Sequence, residues 1–146
     1  MKKKIVYLDM DGVLADFFAH IAPEHNFYNP PEMFKKGFFR NLPIVPGAKE
    51  GVAALLANPN LNVYIATKHT SKNFDCATEK VEWINEHFPA LIKKMFMVCD
   101  KEHLNGDFLI DDDKKWDGFP GEFIHFDEHN PEKAWAKVIE QFKVVE

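Results

Sequence analysis

An α/β fold with a mostly parallel sheet and helices on both faces is predicted by three observations. Five short apolar runs, at residues 4–9, 62–67, 95–99, 107–111 and 122–126, read as strands. Helical patterns fill most of the gaps between them, and strands that alternate with helices form parallel sheets through right-handed crossovers. Three of the runs end in polar side chains, where open α/β sheets place their ligands.

The first run, Ile5-Val6-Tyr7-Leu8, leads directly into Asp9-Met10-Asp11-Gly12-Val13. Alternation along a strand puts Asp9 and Asp11 on one face, and Gly12 permits a sharp turn and a close approach to the backbone. Two carboxylates held together repel unless a cation joins them or one takes a proton. The pair therefore suits a hard divalent ion such as Mg²⁺, or a nucleophile beside an acid/base.

Residues 17–45 break the alternation with an aromatic and proline-rich stretch that includes Phe17, Phe18, Phe27, Tyr28, Phe34, Phe38 and Phe39. Its place just after the first strand predicts a small, partly helical cap over the strand ends, inserted within a single domain spanning residues 1–146. Residues 48–57 then form a helix, bounded by Pro46-Gly47 and Asn58-Pro59. The second strand ends in Thr67-Lys68-His69-Thr70, where a hydroxyl and the following amides can hold phosphate oxygens. Residues 73–88 read as a helix with Ala77, Val81, Ile84 and Phe88 on its apolar face. Lys80 on this helix and Lys101 after the third strand are alternative phosphate contacts, and Lys101 is preferred. The fourth strand ends in Asp111-Asp112-Asp113, a costly arrangement after an apolar run unless something pairs the carboxylates. Asn130-Pro131-Glu132 starts the last helix, whose apolar stripe is Ala134, Trp135, Val138, Ile139 and Phe142.

Composition narrows the function. Fourteen phenylalanines in 146 residues argue against disorder. No apolar stretch reaches the length of a membrane span. Lys2-Lys3-Lys4 precedes no apolar secretion segment, so a cytoplasmic location is expected, with Cys76 and Cys99 as reduced thiols. A net charge of −5 disfavours nucleic acid polymers while permitting a small phosphorylated substrate. The histidines lack the spacing of a helical zinc motif.

Together, these segments resemble the haloacid dehalogenase (HAD) superfamily, and within it the 5′(3′)-deoxyribonucleotidase family. The resemblance rests on Asp9 to Phe17, Gly37-Phe38-Phe39 with Pro43 and Pro46-Gly47-Ala48, Ala66-Thr67, Glu79-Lys80 with Trp83, Asp100-Lys101, and Gly106 to Asp112. It implies a three-layer Rossmann-like fold and a Mg²⁺-dependent phosphomonoesterase acting through an aspartyl-phosphate. Asp9 would be the nucleophile and Asp11 the acid/base. Asp9, Asp11 (through its carbonyl) and Asp112 would hold Mg²⁺, with Asp111 behind them. Thr67 and Lys101 would bind phosphate, with Lys68 adding charge beside it, and Phe17 would line the pocket for a mononucleotide, whose base is left to Phe38 and Phe39.

The sequence departs from the family in two ways. Its insertion is short and lacks a counterpart of the aromatic segment that holds the base, and Lys68 stands where serine is usual. A sugar phosphate or other small phosphoester is the alternative substrate. A phospho-accepting receiver module fits less well, because receivers carry their acceptor on a later strand than the acidic pair.

Overall fold

The computed structural model describes residues 2–144. Five parallel strands form one sheet in the order β3-β2-β1-β4-β5: β1 is Lys4–Leu8, β2 Leu61–Thr67, β3 Met95–Met97, β4 Phe108–Asp111 and β5 Glu122–His125. The helices are α1, Ala48–Ala57, α2, Cys76–His87, and α3, Pro131–Gln141. Every expected strand and helix is present, with ends shifted by a few residues. No helix among the described residues is long and apolar enough to cross a membrane.

Chain order explains the layers. The two connections that run outward from β1 through β2 to β3 carry α1 and α2. Their apolar sides join α3 in one core with Val6, Leu8, Val63, Ile65 and Ile110. The connections that run back to β4 and on to β5 are short. They hold 3-10 turns at Lys101–His103 and Lys114–Gly118 rather than full α-helices. These turns cover the opposite face, where Leu104, Trp116 and Phe119 pack on Tyr7, Ala66 and Leu109. The α-helices thus occupy one face, and the second layer of helical turns is thinner than the alternation predicts.

The apolar face expected for α2 holds at Ile84 and Phe88, both buried in the core, and is corrected at Val81. Its buried residues are Cys76, Glu79, Lys80, Trp83 and Ile84, whereas Val81 is exposed. The insertion causes this rotation. Trp83 donates its indole N–H to the Leu42 carbonyl at 2.8 Å, and the Glu79 carboxylate accepts the backbone N–H of Gly37 at 2.7 Å. Residues 17–45 contain one short 3-10 helix, Pro31–Phe34, and are otherwise turns. Ile21, Met33, Phe38, Phe39 and Leu42 of this segment join the main core, which roots it there.

Candidate active site

The sheet topology switches direction at β1, and the residues just beyond β1, β2 and β4 meet there. The Asp9 amide donates to the Ile110 carbonyl at 2.9 Å, which carries the β1–β4 pairing one residue further. Asp9 therefore lies beside Asp111 and Asp112, and one carboxylate oxygen from each of the three lies within 4.8 Å of the others. Gly12 makes this convergence possible. Its φ is +86°, and a β-carbon built there would sit 2.1 Å from Asp112 Oδ2. The glycine of the first motif is thus the floor on which the last motif's carboxylate rests.

Two buried lysines partner the acids. Lys101 Nζ lies 2.8 Å from Asp9 Oδ1 and 2.6 Å from Asp111 Oδ2. Asp111 Oδ1 also accepts the Asp113 amide at 2.9 Å. Both oxygens of Asp111 are therefore engaged by protein, which suits a residue that orients its neighbours better than one that ligates directly. Lys80 Nζ donates to Asp11 Oδ2 at 2.9 Å, to Thr67 Oγ1 at 2.8 Å and to the Lys68 carbonyl at 2.6 Å. Lys80 is only 2% exposed. Both lysines proposed from sequence as alternatives are in the site, and they serve different carboxylates.

Protonation follows from this packing. Burial raises Asp11 above the usual carboxylate range; the Lys80 ammonium opposes the shift without cancelling it. Its Oδ1 is buried without a hydrogen-bond partner. Burial, and then repulsion from Asp9, likewise raise both Asp111 and Asp112. Burial alone would lower Lys101, but the Asp9 and Asp111 charges more than compensate and hold it above its ordinary value. Asp9 and Asp112, crowded by this repulsion, are hard-oxygen donors suited to a divalent cation, with Asp111 packed behind them. The Asp11 carbonyl, which accepts no backbone hydrogen bond among the described residues, is available as a further donor.

These groups lie at the base of a cleft of about 1080 Å³. Phe17 and Phe39 line it, as do Thr67, Lys68 and Trp116. Phe38 does not. It is 8% exposed and packs edge-on behind Phe17 and Phe39, with ring centroids 5.3 and 5.0 Å away. Tyr28 and Phe27 of the insertion also border the cleft. Nothing in the sequence around Trp116 marks it as a cleft residue, and Lys80 is the less expected of the two lysines. A signal for Lys80 was present, because Cys76, Lys80, Trp83 and Ile84 share one helical face, and a lysine within an apolar stripe needs a buried partner.

The sequence model of the "5' nucleotidase, deoxy (Pyrimidine), cytosolic type C protein" family matches residues 22–133. The chain belongs to this family. The 5′ nucleotidase type C proteins are HAD-superfamily phosphoric monoester hydrolases, in agreement with the resemblance and with the parallel sheet. A Staphylococcus epidermidis protein provisionally named a 5′(3′)-deoxyribonucleotidase is 30% identical over 184 aligned positions, covering 100% of this chain and 99% of the relative. The human cytosolic-type 5′(3′)-deoxyribonucleotidase is 30% identical over 139 positions, 73% of this chain and 69% of its own. The staphylococcal alignment spans 184 positions against 146 residues here.

Proposed function

We propose that this family member is a Mg²⁺-dependent phosphomonoesterase that acts through an aspartyl-phosphate, with deoxynucleoside 5′(3′)-monophosphates as substrates. The observation that carries this reading is the meeting of Asp9, Asp11, Asp112, Thr67 and two buried lysines at one cleft base. The names of the relatives support the nucleotide class.

Asp9 is the nucleophile. Lys101 and the Met10 amide both donate to its Oδ1, at 2.8 and 2.9 Å, and fix the carboxylate's orientation. A carboxylate oxygen of Asp9 attacks phosphorus and the ester P–O bond breaks. Asp11 gives its proton to the departing alkoxide, a role that its raised pKa supports because the acid must be protonated near neutrality. In the second half-reaction Asp11 takes a proton from water as that water attacks phosphorus. The aspartyl P–O bond then breaks and inorganic phosphate leaves. Thr67 holds a phosphate oxygen, and Lys80, whose three donors go to Asp11, Thr67 and the Lys68 carbonyl, anchors Asp11 beside it. Mg²⁺, held by Asp9, Asp112 and the Asp11 carbonyl, would supply charge neutralisation of the phosphate oxygens.

A phosphate-release screen over deoxynucleoside monophosphates, ribonucleotides and sugar phosphates, with Mg²⁺ and with chelator, tests the reading. Mg²⁺-dependent release, fastest from deoxynucleotides, is expected. Release that persists in chelator rejects the metal dependence, and a sugar phosphate outpacing every nucleotide rejects the substrate class.

A further inference from the structure

The inner lysines are fully committed, since Lys80 is bound to Asp11 and Lys101 to Asp9 and Asp111. A second set of cations borders the same cleft. Lys68 follows β2, while Lys114 and Lys115 follow β4, and all three are exposed. Trp116, which is buried, gathers two of them. Lys68 Nζ lies 5.5 Å and Lys115 Nζ 4.7 Å from its ring centroid. Lys101 Nζ is 5.9 Å from the same centroid, so one indole connects the outer cations to the lysine on the nucleophile. Among the described residues, only Lys115 of the outer three has a carboxylate within ion-pair distance, Asp113 at 3.3 Å. In a chain of net charge −5, such a cluster at the lip of a catalytic cleft leaves positive charge with no internal partner. The acids bordering the cleft elsewhere, Asp16, Asp127 and Glu128, follow β1 and β5.

We propose that Lys68 and Lys115, held against Trp116, form with the adjacent Lys114 a second phosphate subsite. The substrate it selects is a phosphomonoester carrying another phosphate across one sugar, of the class of deoxynucleoside 3′,5′-bisphosphates. The distal phosphate replaces the missing partners of the outer lysines while the scissile phosphate sits on Asp9 and Thr67. Charge-assisted contacts to phosphate are the strong kind of hydrogen bond, and this cluster differs from an ordinary solvated face because a buried ring fixes two of its ammonium groups.

The inference rests on the phosphatase reading, and the test separates the two. The kcat/KM of the full chain is measured with a deoxynucleoside 3′,5′-bisphosphate and with the matching 5′-monophosphate, for wild type and for Lys114→Ala/Lys115→Ala. Wild type is expected to prefer the bisphosphate roughly tenfold, through KM. The double variant is expected to lose most of that preference while its monophosphate kinetics stay within about twofold, as rim charges removed from the reacting atoms should. Binding of both nucleotides to Asp9→Asn, by calorimetry, gives the same comparison without turnover. Monophosphate turnover with no preference in wild type overturns the subsite and leaves the phosphatase reading standing. Equal loss on both substrates in the double variant also overturns it. No turnover of any phosphomonoester, with the bisphosphate still bound more tightly than the monophosphate, overturns the phosphatase reading and leaves the anion subsite.

Discussion

The cleft base and the cleft rim solve opposite problems with the same residue types. At the base, Lys80 and Lys101 are almost fully buried, and each is held by carboxylates at 2.6–2.9 Å. At the rim, Lys68, Lys114 and Lys115 are exposed, and Lys68 and Lys115 rest against an aromatic ring. A buried ion must have its partner built in, because desolvation is repaid only by good geometry. An exposed ion can wait for its partner to arrive with the ligand. The base is therefore preorganised for one chemistry, and the rim is where the choice of phosphoester is made.

Breaking the base should cost most. Asp9→Asn is expected to lower Mg²⁺-dependent phosphate release at least ~1,000-fold while the protein stays folded by circular dichroism; wild-type turnover in this variant would remove Asp9 as nucleophile. Lys101→Met strips the partner from Asp9 and Asp111 together, and should destabilise the fold by about 3–5 kcal/mol in denaturant titration at neutral pH. A loss under ~1 kcal/mol would mean the carboxylates are not ionised there. Gly12→Ala sets a β-carbon against Asp112 Oδ2. The Mg²⁺ concentration that gives half-maximal activity should rise about 10–100-fold, and an unchanged Mg²⁺ requirement would separate Asp112 from the metal.

Proton linkage sharpens the same comparison. Asp11, Asp111 and Asp112 are raised by burial, Asp111 to about 7. The folded, metal-free protein then binds more protons than the unfolded chain between the ordinary aspartate value near 4 and those raised values. This contribution to stability is complete at low pH and is lost as pH rises through the raised values, beginning below neutrality with Asp111. In chelator, Tm should therefore fall between pH 5.5 and pH 8 by a few degrees, and Mg²⁺ at pH 8 should restore it. No Mg²⁺ effect on Tm at pH 8 would count against a cation among these carboxylates. The smallest effect belongs to the cleft wall. Phe17→Ala should raise KM for deoxynucleotides about 3–10-fold with little change in kcat, and an equal rise for a bare sugar phosphate would argue against contact with a base.

Much of the fold was legible because its signals are local. The strands are bounded apolar runs, and α1 is found where its breakers place it, at Ala48–Ala57. The acids at the ends of β1 and β4 were legible because a carboxylate after a buried run requires a partner. The burial of α2 was legible at Ile84 and Phe88 but not at Val81, for the opposite reason. Its Ala77, Val81, Ile84 and Phe88 spacing is a sound amphipathic pattern, but the segment from Gly37 to Leu42 claims Glu79 and Trp83 instead. Phe38 and Phe39 are neighbours in sequence, yet only Phe39 borders the cleft; a one-residue step decides this, and composition cannot.

The sequence by itself determined the order of elements, the parallel sheet, and the strand ends that carry Asp9, Asp11, Thr67 and Asp112, since apolar periodicity and turn chemistry act over a few residues. Only the tertiary structure decided that Lys80 and Lys101 are both buried, and that Trp116 gathers lysines from two connections. A lysine enters the interior only when a carboxylate meets it, and here the partners Asp11 and Asp9 lie 69 and 92 residues away along the chain.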